Sequence, residues 1–466
     1  METIMSEFCN AMPKLSRRNV FRAGLATVSG YYLDNAARPL NVYASSPNKL
    51  RGAADFCIFL FLNGGASQLD TFDLKEGRWT PPDFDVRTIR PGFVLPYGLF
   101  PKISQQLDHL AFVRSVEAWE SAHARAQYYM QVGHSFSPAR RKEMPAVGAV
   151  IASELASRRK AGDFLPPFVA MNFDNSQAGL VREGCLPSHF GPLPLDTQQG
   201  NEFVIPAVER LTFDRRWNLL QRLSGSTLDG SPARGGLYTE FDTYTKGAQG
   251  MMTSPRIAEA LALPEADRTK YGSSPLGDAC VLARNLVTFD AGARHILISH
   301  NGWDLHANMY DPKGKNHYVL CRELDNALSA LLTDLRQKRG PDGRTFLERT
   351  FIVCVGEFGR TGGGLTINKG RDHNRFASTA LFAGAGVKGA QIIGKTDEKG
   401  EKVIETGWGE KRAIYTEDIV ATIYSQLGID WSKRIKNTPS GREFEYLEPM
   451  SGTDFVMFKE ISPLFS

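Results

Sequence analysis

Apolar runs of strand length alternate with helical patterns along most of this chain, and this alternation constrains the fold more than any other feature. The runs lie at 55–62, 110–113, 167–171, 295–299, 350–355 and 379–382. An unbroken apolar run of this length is typical of a strand covered on both faces. Leucine spacing of three and four predicts a helix over 317–338, and similar spacing predicts one over 416–427, capped by Thr416. The alternation predicts an α/β fold, a mostly parallel sheet with helices on both faces.

The middle of the chain departs from this pattern. Residues 173–290 are rich in Gly, Pro and Ser, and their hydrophobic periodicity is weak. They predict a large irregular insertion, helical around 206–223, within a single domain that spans 45–466. A chain of 466 residues is long enough for a large core of this kind.

The first 44 residues predict a twin-arginine export signal. The twin-arginine motif is Ser16-Arg17-Arg18-Asn19-Val20-Phe21, and a weakly apolar stretch follows it at 23–33. The small residues near Val42-Tyr43-Ala44 are the predicted cleavage region. The apolar stretch is shorter than the ~20 residues that span a bilayer. We therefore expect a periplasmic or secreted protein with no transmembrane segment, although an ordinary basic helix would also explain the Arg-Arg pair.

The charge distribution argues against nucleic acid as a partner. Residues 1–51 hold seven Lys or Arg and three acids, which accounts for the whole net charge of +4. The remainder is balanced, whereas nucleic-acid binding usually needs a clustered basic face. Six cysteines without a C-x-x-C pair also give no support to a thiolate zinc site or a redox motif.

Polar side chains follow four of the predicted strands, where ligands bind in open parallel sheets. They are Ser67 and Asp70, Ser121 and His123, Asp304 and His306, and Glu357, Arg360, Arg371, Asp372 and His373. Each group alone has an ordinary structural explanation as a helix cap, a structural histidine or a loop ion pair. Four strand ends that all bring such residues favour one shared site.

The residue types suggest what that site binds. Asp304 and His306 are two apart, so they point to one side of an extended loop and suit a divalent metal ion of open identity. Arg360 and Arg371 could grip a tetrahedral anion by paired hydrogen bonds.

One further element is predicted beside this site. Ser121 would cap a helix that runs to about Val132 and ends at Gly133. An anion there would meet free backbone N–H groups at the start of the helix.

The ordered motifs at 63–73, 303–306, 356–361 and 370–373 resemble the secreted family known as domain of unknown function 1501, over nearly the whole chain. That family is grouped with the alkaline phosphatase and sulfatase superfamily. The resemblance implies an alkaline-phosphatase-like fold and metal-dependent hydrolysis of phosphate or sulfate esters.

The chain departs from the superfamily pattern at three positions. Asn63 stands where superfamily enzymes place a metal-binding Asp, and Phe358 stands where many carry a His. His123 occupies the place of the nucleophile, with Ser121 two residues earlier, which argues against a sulfatase that matures a Cys to an aldehyde. The resemblance therefore implies one metal ion or none.

The sequence thus predicts an exported hydrolase acting on phosphate or sulfate esters, free or carried on a polysaccharide. The predicted metal ligands are Asp70, Asp304, His306, Glu357, Asp372 and His373. The predicted catalytic residues are His123, Ser121 and Arg360, and the predicted substrate-binding residues are Ser67 and Arg371. The alternative is a non-catalytic periplasmic binding or assembly protein that retains the fold. A third interpretation is a carbohydrate pocket in which Trp303 stacks on the sugar.

Overall fold

The computed structural model describes residues 42–44, 49–160, 162–173, 176–197, 205, 207–228, 236–311, 313–314, 316–436, 438–448 and 456–466. The predicted export signal lies outside these residues, except for Val42–Ala44. Those three residues form a short strand that pairs antiparallel with Lys433–Ile435.

The described strands are β1 (Val42–Ala44), β2 (Phe56–Asn63), β3 (Val86–Arg90), β4 (Phe93–Pro96), β5 (Leu110–Val116), β6 (Phe168–Met171), β7 (Leu193–Leu195), β8 (His295–Asn301), β9 (Thr350–Val355), β10 (Gly359–Arg360), β11 (His373–Asn374), β12 (Ser378–Ala383), β13 (Gln391–Ile393), β14 (Lys395–Thr396), β15 (Val403–Glu405), β16 (Lys433–Ile435) and β17 (Phe444–Glu445). The described α-helices are α1 (His123–Val132), α2 (Val147–Glu154), α3 (Arg210–Leu228), α4 (Gly236–Thr253), α5 (Pro255–Ala260), α6 (Glu265–Tyr271), α7 (Pro275–Phe289), α8 (His317–Gln337), α9 (Phe346–Arg349) and α10 (Thr416–Gln426).

Eight strands form the central sheet, in the order β13-β5-β12-β9-β2-β8-β6-β7. All of them run in one direction except β12, which lies antiparallel to both of its neighbours. The carboxyl ends of β2, β5, β8 and β9 therefore meet the amino end of β12 at one edge of the sheet. The prediction of a mostly parallel α/β sheet is confirmed.

Two apolar cores cover the faces of this sheet. Along β2, Ile58 and Leu60 face the core that includes α7 and α8, whereas Phe59 and Phe61 face the core that includes α2 and α10. This alternation follows from the two-residue period of a strand, and all eight residues of β2 are buried. An apolar run without polar interruptions is what a strand covered on both faces requires.

The predicted helices at 317–338 and 416–427 correspond to α8 and α10, and α3 covers residues 210–223 of the helix predicted around 206–223. Two predicted caps are wrong. Residue Thr416 is already helical, and Asp418 instead accepts a hydrogen bond from the backbone N–H of Tyr415. The N-cap of α1 is Ala122 rather than Ser121, and no side chain caps that end. The predicted end of α1 at Gly133 is confirmed, in a left-handed conformation with φ of 68°.

The Gly-, Pro- and Ser-rich segment 173–290 contains helices α3 to α7. Of these, α7 is almost wholly buried and packs against β8, so this part of the segment belongs to the core. Among the described residues, we find no helix with the length and apolar composition that crossing a bilayer requires.

A buried carboxyl group on α10 leads to a prediction about stability. The Glu417 side chain accepts hydrogen bonds from Trp119 Nε1 (3.0 Å) and from the Tyr129 hydroxyl. Burial raises the pKa of Glu417 to about 8, despite these donors. Between the usual pKa of a Glu and this value, the folded chain holds a proton that the unfolded chain has lost, so stability falls as pH rises.

We expect the free energy of unfolding to fall by a few kcal/mol between pH 5 and 8, at about 1.4 kcal/mol for each unit of pKa difference. Urea unfolding at several pH values measures this slope. Glu417→Gln should flatten it, while Glu76→Gln on the exposed surface should not. An unchanged slope in Glu417→Gln would contradict this explanation.

Candidate metal centre

Four side chains converge at the carboxyl edge of the sheet. His123 is the first residue of α1, Asp304 and His306 lie in the loop after β8, and His373 lies in β11. Each offers one ligand atom, and the four atoms lie within 4.8 Å of one another. Elements more than 180 residues apart in sequence thus meet because parallel strands end at the same edge.

Four of the six separations within this cluster are close to those of ligands around one ion. Asp304 Oδ1 lies 3.0 Å from His123 Nε2, 2.9 Å from His306 Nε2 and 3.5 Å from His373 Nε2. The two Nε2 atoms of His306 and His373 are 2.9 Å apart. A tetrahedral zinc ion with bonds of 2.0–2.1 Å holds its donors about 3.3 Å apart, and these four separations lie close to that value.

Each imidazole is oriented by a hydrogen bond from its other nitrogen. The Nδ1 atoms of the three histidines lie 2.8 Å from Glu357 Oε1, 3.0 Å from Asp372 Oδ1 and 2.6 Å from the Ser121 carbonyl oxygen, for His123, His306 and His373 respectively. An oxygen acceptor places the proton on Nδ1, which leaves the Nε2 lone pair directed at the cluster. Oxygen partners of this kind are typical of histidines that bind metal ions.

The cluster needs a positive charge at its centre. Two Nε2 lone pairs at 2.9 Å repel each other unless a proton or a cation lies between them. The Nε2 atom of His123 is buried and lies 3.0 Å from Asp304 Oδ1. Burial opposes a charge on His123, but hydrogen bonds with Asp304 and Glu357 outweigh it and raise the pKa of His123 to about 9.

Asp304 is the anionic member of the cluster. Burial opposes its charge, but His123, His373 and Arg360 outweigh this effect and hold its pKa far below the usual range. The Asp304 side chain is 38% exposed and the His306 side chain 42%, so the cluster opens to solvent on one side. An ion held by these four nitrogen and oxygen donors could therefore bind a fifth ligand from the solvent side, because such ions can be five-coordinate.

Glu357 lies on the buried side of the cluster, in contact with His123. Its carboxylate is fully buried, accepts hydrogen bonds from the backbone N–H of Gly64 (3.0 Å) and contacts the His123 ring. Gly64 has a φ of 110°, and a Cβ there would lie 2.4 Å from the backbone nitrogen of Asp304. The turn after β2 must therefore be glycine for the Asp304 loop to pack against it.

Replacing Glu357 with glutamine tests this support. Because the carboxylate holds the His123 tautomer, we expect Glu357→Gln to weaken metal affinity by about 10–100-fold while leaving all four ligands in place. Competition with a chelator of known affinity measures the loss. An unchanged affinity would show that Glu357 does not orient His123.

The Arg360 guanidinium makes its hydrogen bonds to other groups of the protein. Its guanidinium is 2% exposed and donates to Asp304 Oδ1 (2.7 Å), to the Gly65 carbonyl (2.9 Å), to the Arg371 carbonyl (3.1 Å) and to the Gly64 carbonyl. These contacts hold Asp304 in place and leave little donor capacity for a ligand. The structure therefore makes Arg360 a positioning residue.

Three of the predicted site residues lie together in a neighbouring cluster. Arg371 binds Asp70 through Nε (2.6 Å) and one terminal nitrogen (3.1 Å), and the Ser67 hydroxyl donates to the same carboxylate (2.5 Å). Arg371 also donates to the carbonyl oxygens of Thr361 and Gly363. Both charged side chains are buried, so this pair ties the loop after β9 to the turn after β2.

The remaining predicted site residues lie around the metal cluster. Asp372 is exposed and supports His306, whereas Ser121 contacts His373 through its backbone carbonyl only. Trp303 is 2% exposed and donates its indole N–H to His300, so it offers no surface for stacking a sugar.

A polar cavity of about 350 Å³ adjoins the cluster, and most of its side chains were not predicted. Its lining side chains are Asn63, His123, Gln127, Gln177, Asn301 and Asp304. Gln127 lies four residues after His123, hence on the same face of α1, and donates to Asn63 Oδ1 (2.6 Å). That spacing was the one sequence signal for its role.

The family described as "Protein of unknown function (DUF1501)" matches residues 54–451. No curated protein matches the chain. The prediction of this family is confirmed.

Several solved structures resemble the chain at low identity. A protein of the alkaline phosphatase superfamily from Vibrio parahaemolyticus is 12% identical, with a TM-score of 0.37 and coverage of 90% of this chain and 76% of that one. The PsFucS1 sulfatase from Pseudoalteromonas sp. is also 12% identical, with a TM-score of 0.37 and coverage of 90% and 72%. The C-terminal periplasmic domain of EcEptC from Escherichia coli, in complex with Zn, is 10% identical, with a TM-score of 0.36 and coverage of 84% and 87%. Likeness at this level assigns no activity to the chain.

Proposed function

The chain belongs to the DUF1501 family of proteins of unknown function, so its activity must be argued from its own site, and we propose an exported, metal-dependent hydrolase of phosphate or sulfate esters. The convergence of three Nε2 atoms and the Asp304 carboxylate beside a polar cavity carries this proposal. Export rests on the twin-arginine pattern in residues 1–44. The ester would be free or attached to a polysaccharide.

His123, Asp304, His306 and His373 would hold the ion. A bound divalent ion would neutralise charge on the ester oxygens and lower the pKa of a coordinated water. Glu357, Asp372 and the Ser121 carbonyl would keep the three imidazoles oriented, and Arg360 would keep Asp304 against them. This division assigns His123 to metal binding rather than to proton transfer.

The cavity determines where the attacking oxygen comes from. Among the described residues that line it, none has a hydroxyl or thiol side chain. We therefore propose that water attacks the phosphorus or sulfur atom directly, so that the ester oxygen leaves with its alcohol and no covalent enzyme intermediate forms. Inversion of configuration at a chiral phosphorus would support direct attack by water, whereas retention would indicate a covalent intermediate and contradict this step.

An activity assay with matched histidine variants tests the proposal. The purified protein would be assayed with p-nitrophenyl phosphate, bis(p-nitrophenyl) phosphate and p-nitrophenyl sulfate, each with zinc, manganese, cobalt or calcium. His306→Ala should abolish turnover, whereas His109→Ala, at the opposite edge of the sheet, should keep it. If the wild type turns over no ester faster than His306→Ala with any metal, the hydrolase proposal is wrong.

The second candidate is a non-catalytic periplasmic binding or assembly protein, and Asn63 favours it. The Asn63 amide bonds Asn301 Oδ1 (2.7 Å) and Ser299 Oγ (3.2 Å), and it accepts from Gln127. Phe358 is buried, and its ring centroid lies 4.9 Å from that of His123. Neutral side chains therefore stand at the two positions where the resemblance implies ligands of a second ion. A stably bound ion without turnover of any ester would support this candidate.

A further inference from the structure

The charges around the metal cluster limit the charge of its ligand. Three carboxylates, Asp304, Glu357 and Asp372, lie in contact with the imidazoles. Arg360 and one divalent ion would balance them, since the imidazoles bind metal in the neutral form. The site with its ion is therefore close to neutral.

The positive charges of Arg360 and Arg371 are already paired within the protein and are not available to a ligand. Arg360 is paired with Asp304 and carbonyl oxygens, and Arg371 is paired with Asp70. Both side chains are at most 2% exposed. Reaching a ligand would require breaking buried charge-assisted hydrogen bonds, which are roughly twice as strong as neutral ones.

The cavity beside the cluster contributes neutral donors. Four of its lining side chains are carboxamides, those of Asn63, Gln127, Gln177 and Asn301, and no Lys or Arg is among its described lining residues. The Asn63 and Gln127 amides donate within the protein, whereas the exposed Gln177 carboxamide can donate to an ester oxygen without adding positive charge. The uncapped N-terminus of α1 adds about half a positive charge beside His123.

We infer that the ligand of this site is an ester with a single negative charge, a phosphodiester or a sulfate monoester. This inference rests on the proposed hydrolase function and narrows its substrate class. A phosphate monoester carries close to two negative charges at neutral pH. Its second charge would meet no unpaired cation here, whereas the α1 terminus supplies about half a positive charge toward the first.

The three p-nitrophenyl esters share a leaving group and test the inference directly. At pH 8 with the preferred metal, we expect kcat/KM for bis(p-nitrophenyl) phosphate or p-nitrophenyl sulfate to exceed that for p-nitrophenyl phosphate by at least about tenfold. Comparing the phosphodiester with the sulfate monoester shows which of these two singly charged ester classes the site prefers. Faster turnover of p-nitrophenyl phosphate would overturn this inference and leave the hydrolase intact, whereas no turnover of any ester would overturn both.

A charge placed at the cavity gives a second readout that does not need turnover. Gln177 is exposed, so Gln177→Arg adds a cation beside the ligand without filling the core. Calorimetric titration with methyl phosphate and dimethyl phosphate should show the variant shifting relative affinity toward the doubly charged ester by about tenfold. Gln105→Arg adds the same charge before β5, at the other edge of the sheet, and should shift nothing. Equal shifts in both variants, or none in Gln177→Arg, would contradict the inference.

Discussion

Replacing Asp304 with asparagine is expected to lower metal affinity by at least about 100-fold and ester hydrolysis in proportion. The Asp304 carboxylate is the only anion among the four described ligands, and its Oδ1 atom lies within 3.5 Å of all three imidazole Nε2 atoms. Asparagine keeps the shape but removes the charge that balances the ion. Chelator competition and metal analysis of the purified variant measure the effect.

Asp311→Asn is the matched control, because Asp311 lies exposed in the segment that follows the same strand and outside the cluster. It should keep wild-type metal content and activity. Circular dichroism of both variants would show that folding is retained. If Asp304→Asn binds metal as tightly as Asp311→Asn does, the cluster is not the metal site.

Replacing Arg371 with methionine is expected to lower the free energy of unfolding by about 3–5 kcal/mol. The change leaves the Asp70 carboxylate buried without its partner, and the carbonyl oxygens of Thr361 and Gly363 each lose a donor. Removing one member of a buried pair costs far more than the pair itself contributes, because an uncompensated charge remains in the core. Urea unfolding measures the loss.

Two further variants isolate the reason for this loss. Arg87→Met breaks an ion pair with Asp85 in which both side chains are about half exposed, and it should cost less than about 1 kcal/mol. The double variant Asp70→Asn/Arg371→Met should recover much of the loss, because no unpaired charge remains. A double variant no more stable than Arg371→Met alone would contradict the explanation.

The fold was predictable because several strands of the central sheet coincide with unbroken apolar runs in the sequence. Phe56–Asn63 and Thr350–Val355 are buried on both faces, so almost no polar residue interrupts them. The leucine spacing of α8 likewise reflects a single buried face. Caps were less predictable, because the N-cap position of α1 is Ala122, whose side chain cannot accept a hydrogen bond.

The site was harder to predict because sequence does not reveal which way a polar residue points after a strand. Asp70 and Asp304 both follow strands, but a 3₁₀ turn directs Asp70 inward to Arg371, whereas Asp304 reaches the imidazoles. The contact from Ser121 is made by a carbonyl, which every residue possesses. The Gln127 side chain was recognisable only through its spacing from His123.

X-ray absorption at the metal edge of the native protein, purified without chelator, tests the central claim most directly. We expect one ion per chain, with scattering from three imidazoles and one carboxylate and with bonds of about 2.0–2.2 Å if the ion is zinc. A protein without bound metal, or an ion whose spectrum shows no imidazole, would contradict the assignment of His123, Asp304, His306 and His373 as its ligands.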